Sequence, residues 1–203
     1  MKTTRILTAT AFATVIAVAT ASAQQPQTQR VRGTIEKIDG NTLLIKSPDG
    51  APVTLTLADN AVIVGVMKAT VADIKEGSYI GSGALPQPDG TQKAVEVHIF
   101  AESQRGTGDG HRGNWDGAPG GTMTNGAVGQ AVSSVDGPVI TVKYKDGEKK
   151  IIVTPNVPIV RYEVGDKSEL KAGAVINVAA ATKKPDGTFA TARINVGRNG
   201  VVP

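Results

Sequence analysis

The side chains able to do chemistry gather in one stretch: Asp109, His111, Arg112, Trp115 and Asp116 fall between Gly108 and Gly117. Two kinds of work suit such a set. An imidazole between carboxylates begins a divalent-metal site, because zinc and copper take His, Asp and Glu ligands at about 2 Å. On that reading His111, Asp109 and Asp116 are ligands, Met123 lies close by, and the protein is a metal-handling accessory of a transporter. On the second, Trp115 with His111 or Arg112 presents a stacking surface to a sugar or a peptide. A plainer possibility is that Trp115 packs against a barrel or into a seam. Ligands are scarce for a metal. The other histidine, His98, stands 13 residues away, and no H-x-x-x-H pair occurs. Asp109 to Asp116 also lacks the D-x-[DN]-x-[DN]-G spacing of a calcium loop.

Catalytic machinery is harder still to assemble. Cysteine is absent, which removes thiolate nucleophiles, thiolate metal sites and disulfides. Neither histidine stands near a G-x-S-x-G elbow. Most aspartates sit in Asp-Gly turns, where the carboxylate shapes the turn. The expectation is a protein without catalytic residues or cofactor.

The chain begins with an export address. Lys2 and Arg5 precede the small and apolar run Ile6 to Ala19, and Ala21-Ser22-Ala23 is an A-x-A cleavage site, so residues 1–23 read as a signal peptide for a Gram-negative periplasm. Residues 24–30 are polar and Gln-rich, a disordered lead-in. Removing Lys2 and Arg5 takes the 22 basic residues to 20 against 18 acidic, a net charge of +2. That balance lacks the basic footprint of nucleic-acid binding. No later stretch is long and apolar enough for a transmembrane helix.

Two elements must position these residues, and they are copies of one another. Asp39-Gly40, Asp49-Gly50 and Pro88-Asp89-Gly90 recur as Asp136-Gly137, Asp146-Gly147 and Pro185-Asp186-Gly187, each 97 residues later. Val31/Gly33/Ile35, Val53/Leu55/Leu57 and Val95/Val97/Ile99 alternate with polar residues, the period of half-buried strands. The Asp-Gly pairs between such runs predict antiparallel hairpins. Thr70 with Asp73, and Asp166 with Glu169, have the spacing of an N-cap and its N3 partner, with Gly77 and Gly173 as stops, so each copy holds one short helical turn. The order is four strands, a turn, then two strands. The expected fold is all-β: two tandem small OB-like β-barrels of about six strands each, over residues 31–102 and 127–198, with a Gly-rich linker at 103–126 and a tail at 199–203. At about 70 residues each copy is marginal alone and leans on its neighbour.

The run Val31-Arg32-Gly33-Thr34-Ile35 with Ile38-Asp39-Gly40, and later Ala72-Asp73-Ile74-Lys75-Glu76-Gly77, resembles the bacterial exported β-barrel domains called domain of unknown function 5666. The stretches Gly147 to Ile151, Pro158 to Val160 and Gly165 to Leu170 are similar to two-domain exported proteins sometimes labelled metal ABC transporter permeases. The resemblance implies an exported barrel fold and supplies no catalytic residue. The functional expectation is a non-enzymatic periplasmic protein that binds a protein, peptide or glycan partner of the cell envelope.

Overall fold

The computed structural model describes residues 28–132, 135 and 137–203; the expected signal peptide over 1–23 lies outside them. The chain is nearly all β. Its strands are β1 Thr28–Asp39, β2 Thr42–Lys46, β3 Pro52–Ala69, β4 Tyr79–Pro86, β5 Gln92–Ile99, β6 Gly110–Trp115, β7 Gly121–Val132, β8 Val139–Tyr144, β9 Gly147–Ile152, β10 Ile159–Val164, β11 Val175–Lys183 and β12 Phe189–Gly197. Among the described residues no helix is long and apolar enough to cross a membrane.

Strand pairing closes into two five-stranded rings. The first runs β1–β2–β3–β12–β11 and back to β1, and the second β4–β7–β8–β9–β5 and back to β4. Neither ring is a contiguous half of the chain, which corrects the assignment of one barrel to residues 31–102 and another to 127–198. The first ring takes β1–β3 from the first copy and β11–β12 from the second; the second takes β4–β5 from the first copy and β7–β9 from the second. The cores follow suit. One packs Ile35, Leu43 and Leu55 against Ile176, Val178 and Ile194; the other packs Ile80, Val97 and Ile99 against Ile140, Val142 and Ile151.

The length of β3 explains the exchange. Its 18 residues extend for roughly 60 Å at about 3.3 Å per residue, far beyond the usual five or six residues of a strand. The N-terminal part pairs with β2, and the C-terminal part pairs with β10 over Val64–Ala69, keeping β12 on its other side as far as Val66 and leaving the ring beyond it. The chain therefore reaches β4 already beside the other ring. Where the sequence suggested two strands, β3 is unbroken. Its counterpart in the second copy is split into β9 and β10 by the segment holding Pro155 and Pro158, and prolines cannot donate to a ladder.

The exchange obeys the sequence repeat. Ile194 pairs in parallel with Ile63, and Val97 with Ile159; Ile194 lies 97 residues after Val97, and Ile159 lies 96 after Ile63. The predicted helical turns are single 3₁₀ turns at Val71–Asp73 and Lys167–Glu169, capped as expected. Asp73 accepts the Thr70 N–H at 2.8 Å, and Glu169 accepts the Asp166 N–H at 2.9 Å. Each docks on the other copy: the Gly77 N–H donates to Val128 O and the Gly173 N–H to Ile35 O, both at 2.8 Å.

Three local expectations are corrected. Residues 28–30 belong to β1, so the lead-in ends earlier than Arg30. Val95 lies outside the core because the β4–β5 register shifts at Gly83/Ala84, turning Ala94 inward in its place. The 103–126 segment is no structureless linker, since it carries β6 and the start of β7.

Candidate functional site

Glycine did not prevent β6 from forming, because β7 supplies a partner edge: Gly110 pairs with Asn125, His111 with Thr124, Arg112 with Met123 and Trp115 with Gly121. The strand bears His111, Arg112 and Trp115, with Asp109 and Asp116 just beyond its two ends, but does not gather these sequence-predicted residues. His111 is linked through Nδ1 to Thr124 Oγ1 at 2.8 Å, and its ring stacks on Tyr144 with centroids 6.4 Å apart. Burial, and then the Lys149 charge, hold its pKa below the usual 6.5. Arg112, the next residue and so on the opposite face, donates to Gly108 O at 2.9 Å. The Trp115 ring lies across backbone: a Cβ at Gly83, Gly117 or Gly121 would collide with it. Gly83 is on β4, so the indole fastens β6 to the strand beyond β7.

The carboxylates proposed as metal ligands point elsewhere. Asp109 accepts the Lys145 N–H at 2.8 Å and the Tyr79 hydroxyl at 3.1 Å, while Asp116 pairs with Arg30 at 2.9 Å. Among the described residues no three His, Asp or Glu side chains converge as a metal would need. His111, Asp109 and Asp116 each have a different partner, and this geometry does not assemble the metal site their spacing suggested.

Asp116 instead leads to a cleft of about 750 Å³ at one mouth of the first ring. It opens where β1 and β2 part. Their pairing begins only at Thr34–Lys46, so β1 before Thr34 is bonded on one side, to β11. Gln29, Arg30, Val31 and Arg32 all line the cleft. Side chains alternate along a strand, so four consecutive lining residues mean that the strand edge itself forms a wall. Opposite stands the β2–β3 turn, where Asp49 accepts the Ser47 hydroxyl and the Ala51 N–H; the Ser47 bond, then that of Ala51, lowers its pKa. Val53 and Phe189, partly buried against the first core, form the floor, and Lys183 is at the rim.

A second cluster lies where the strands β5 and β10 pair. His98 is largely covered: it bonds Glu96 at 2.9 Å and stacks on Tyr162 at 5.3 Å. Phe100 meets Tyr162 edge-on and Tyr79 at a tilt. Burial alone would raise the Glu96 carboxyl; the His98 bond and charge, with Arg30 and Arg32 beyond, outweigh it and hold the pKa below the ordinary value. Burial, then Glu96, pushes Tyr162 up to about 12. Sequence reasoning missed this seam, although the Ala61–Val66 run and Gly81-Ser82-Gly83 in a strand signalled it. Loss of alternation marks two-sided burial, and a strand glycine marks close approach. Phe100 covers Gly81 much as Trp115 covers Gly83.

Comparisons with protein-family models, with curated proteins and with solved structures found no match for the chain.

Proposed function

We propose that this is an exported, non-enzymatic binding protein of the periplasm that holds a peptide, protein or glycan partner from the cell envelope at the mouth of the first ring. The observation that carries the reading is the 750 Å³ cleft with an apolar floor and a strand-edge wall, within the size range of ligand pockets. Its two carboxylates are already committed, Asp49 within its own turn and Asp116 to Arg30, which suits recognition better than proton transfer. The n-region, apolar run and Ala21-Ser22-Ala23 support export, as does the resemblance to exported barrel domains. Trp115 fits this reading as the fastener that holds the β6–β7 loop, and with it Asp116, beside the cleft.

The test is thermal shift with envelope fractions: soluble peptides, glycan fragments and purified envelope proteins. Ala51 is exposed and lines the cleft, so Ala51→Trp fills it without entering a core. A fraction that raises Tm of the wild-type protein but not of Ala51→Trp supports the proposal. If no fraction raises Tm, the proposal is wrong.

A further inference from the structure

The two rings are copies, yet one edge is treated differently in each. Gly33 and Gly126 occupy the same place: a Cβ on Gly33 would strike Lys46 O, and one on Gly126 would strike Lys143 O, the carbonyls themselves 97 residues apart. Ile35 pairs with Ile45 as Val128 pairs with Val142. The β1 edge at Thr28–Arg32 therefore corresponds to the β7 edge at Gly121–Asn125. In the second ring that edge is occupied, because β6 lies antiparallel along it. In the first ring the same edge faces the cleft and pairs with no strand among the described residues.

We propose that the first ring binds an extended peptide as an added antiparallel strand on the free edge of β1, as β6 already binds β7, and that the peptide carries the pattern carboxylate–apolar–carboxylate. The inference rests on the reading of the cleft as a binding site and names its ligand. Residues directly opposite on paired strands face the same side of the sheet. The position opposite Val31, a core residue, points to the apolar floor of Val53 and Phe189, where His111 points inward in the second ring. The flanking positions, opposite Arg30 and Arg32, face guanidinium groups. Arg32 is exposed and has no ion pair among the described residues, and Arg30 Nε is buried without a hydrogen-bond partner. Asp116 already presents one carboxylate to Arg30 from within the chain, so the cleft displays the chemistry it selects. Lys183 adds positive charge at the rim. Main-chain hydrogen bonds to the edge supply affinity and the alternate side chains supply specificity, the usual division in strand addition.

The experiment uses the whole protein and labelled octapeptides with a central Glu-Val-Glu or Lys-Val-Lys in a Gly/Ser frame, read by fluorescence anisotropy. The amide resonances of Gln29, Arg30, Val31 and Arg32 are followed in parallel. The expected result is saturable binding of the Glu-Val-Glu peptide that weakens with salt, with shifts at those four amides. Arg32→Glu should weaken it at least tenfold and give measurable binding to Lys-Val-Lys. Arg32 is exposed, so the variant should fold; Lys183→Glu repeats the test at a second exposed cation. Equal affinity for both peptides, an unchanged affinity in Arg32→Glu and Lys183→Glu, or binding that leaves the β1 amides unmoved overturns the proposal. Binding of polygalacturonate fragments at the cleft without binding of Glu-Val-Glu also overturns it, while leaving the wider binding reading intact.

Discussion

If the rings are built by exchange between the two copies, cutting the chain between them should leave one particle. The cut is made by inserting a protease sequence between Gly106 and Thr107, in the exposed turn between β5 and β6. The fragments then carry β1–β5 and β6–β12. Of the buried side chains in the two cores, the second fragment contributes six to one (Leu170, Ile176, Val178, Ala181, Ile194, Val196) and six to the other (Val128, Ile140, Val142, Ile151, Val153, Ile159). At about 1.5–3 kcal/mol per fully buried side chain, returning these to water costs roughly 20–35 kcal/mol. Residual clustering in the separated fragments reduces that figure, and association costs several kcal/mol in lost freedom. Half of it, roughly 10–17 kcal/mol, spans the ~12 kcal/mol of a nanomolar complex and exceeds the ~8 kcal/mol of a micromolar one. Cleaved protein at micromolar concentration should therefore elute as one species of the intact mass by size-exclusion chromatography with light scattering, and should separate only in denaturant. Two folded species, each of about half the mass and each melting cooperatively, would refute the exchange and restore contiguous barrels.

Other perturbations test single contacts. Gly33→Ala and Gly126→Ala place a Cβ against the carbonyls of Lys46 and Lys143 and should each cost at least ~1–3 kcal/mol in urea unfolding. Gly113→Ala, with open space around it, should stay within about 0.5 kcal/mol. Because burial and Lys149 lower the His111 pKa, the native state resists its protonation; stability should fall as pH drops from the unfolded value near 6.5 through the lowered folded one, and level off below. Lys149→Gln should raise the His111 pKa seen by NMR. Arg198 bonds Glu169 and Glu163, each at 2.8 Å, and its hydrogen bond is the main cause of the lowered Glu169 pKa. That contribution is present above the ordinary 4.5 and lost as pH falls through the lowered value, so Arg198→Gln should flatten the acid limb of a plot of Tm against pH.

Period-two alternation at Val31–Ile35 and Val53–Leu57, the capping spacing at Thr70/Asp73 and Asp166/Glu169, and the Asp-Gly turns were all legible, because each is a local signal read within one or two elements. Gly50, Gly90 and Gly187 take the positive φ that such turns require. The partner of each strand was not legible. Alternation says that Leu55 and Ile194 face a core, but not that they face the same one, and a 97-residue repeat is satisfied equally by rings closed within a copy or between copies. What decides is the reach of β3, which runs unbroken through Asp59-Asn60. In the candidate site, composition singled out the Asp109–Asp116 stretch. Nearness in sequence then misled, because a strand sends His111 and Arg112 to opposite faces, and the kink at Asn114, with φ 57°, re-aims Trp115 and Asp116.

Among the described residues one ring has a β edge open that the other has filled, and an unfilled edge is a standing invitation to pair with any strand. The residues on the open edge restrict that invitation. Arg30 and Arg32 place two guanidinium groups beside the backbone of a partner strand, so an apolar strand would bury or crowd charge on docking, at a cost its main-chain hydrogen bonds must offset. A strand with carboxylates opposite both arginines relieves that cost and gains charge-assisted bonds. Protection against promiscuous pairing and selection of an acidic peptide thus come from the same two side chains. The filled edge carries no such guard: the β7 residues at the corresponding positions are Met123 and Asn125, and the Asn125 side-chain amide donates to Thr107 O at 3.0 Å, in the turn that leads into β6.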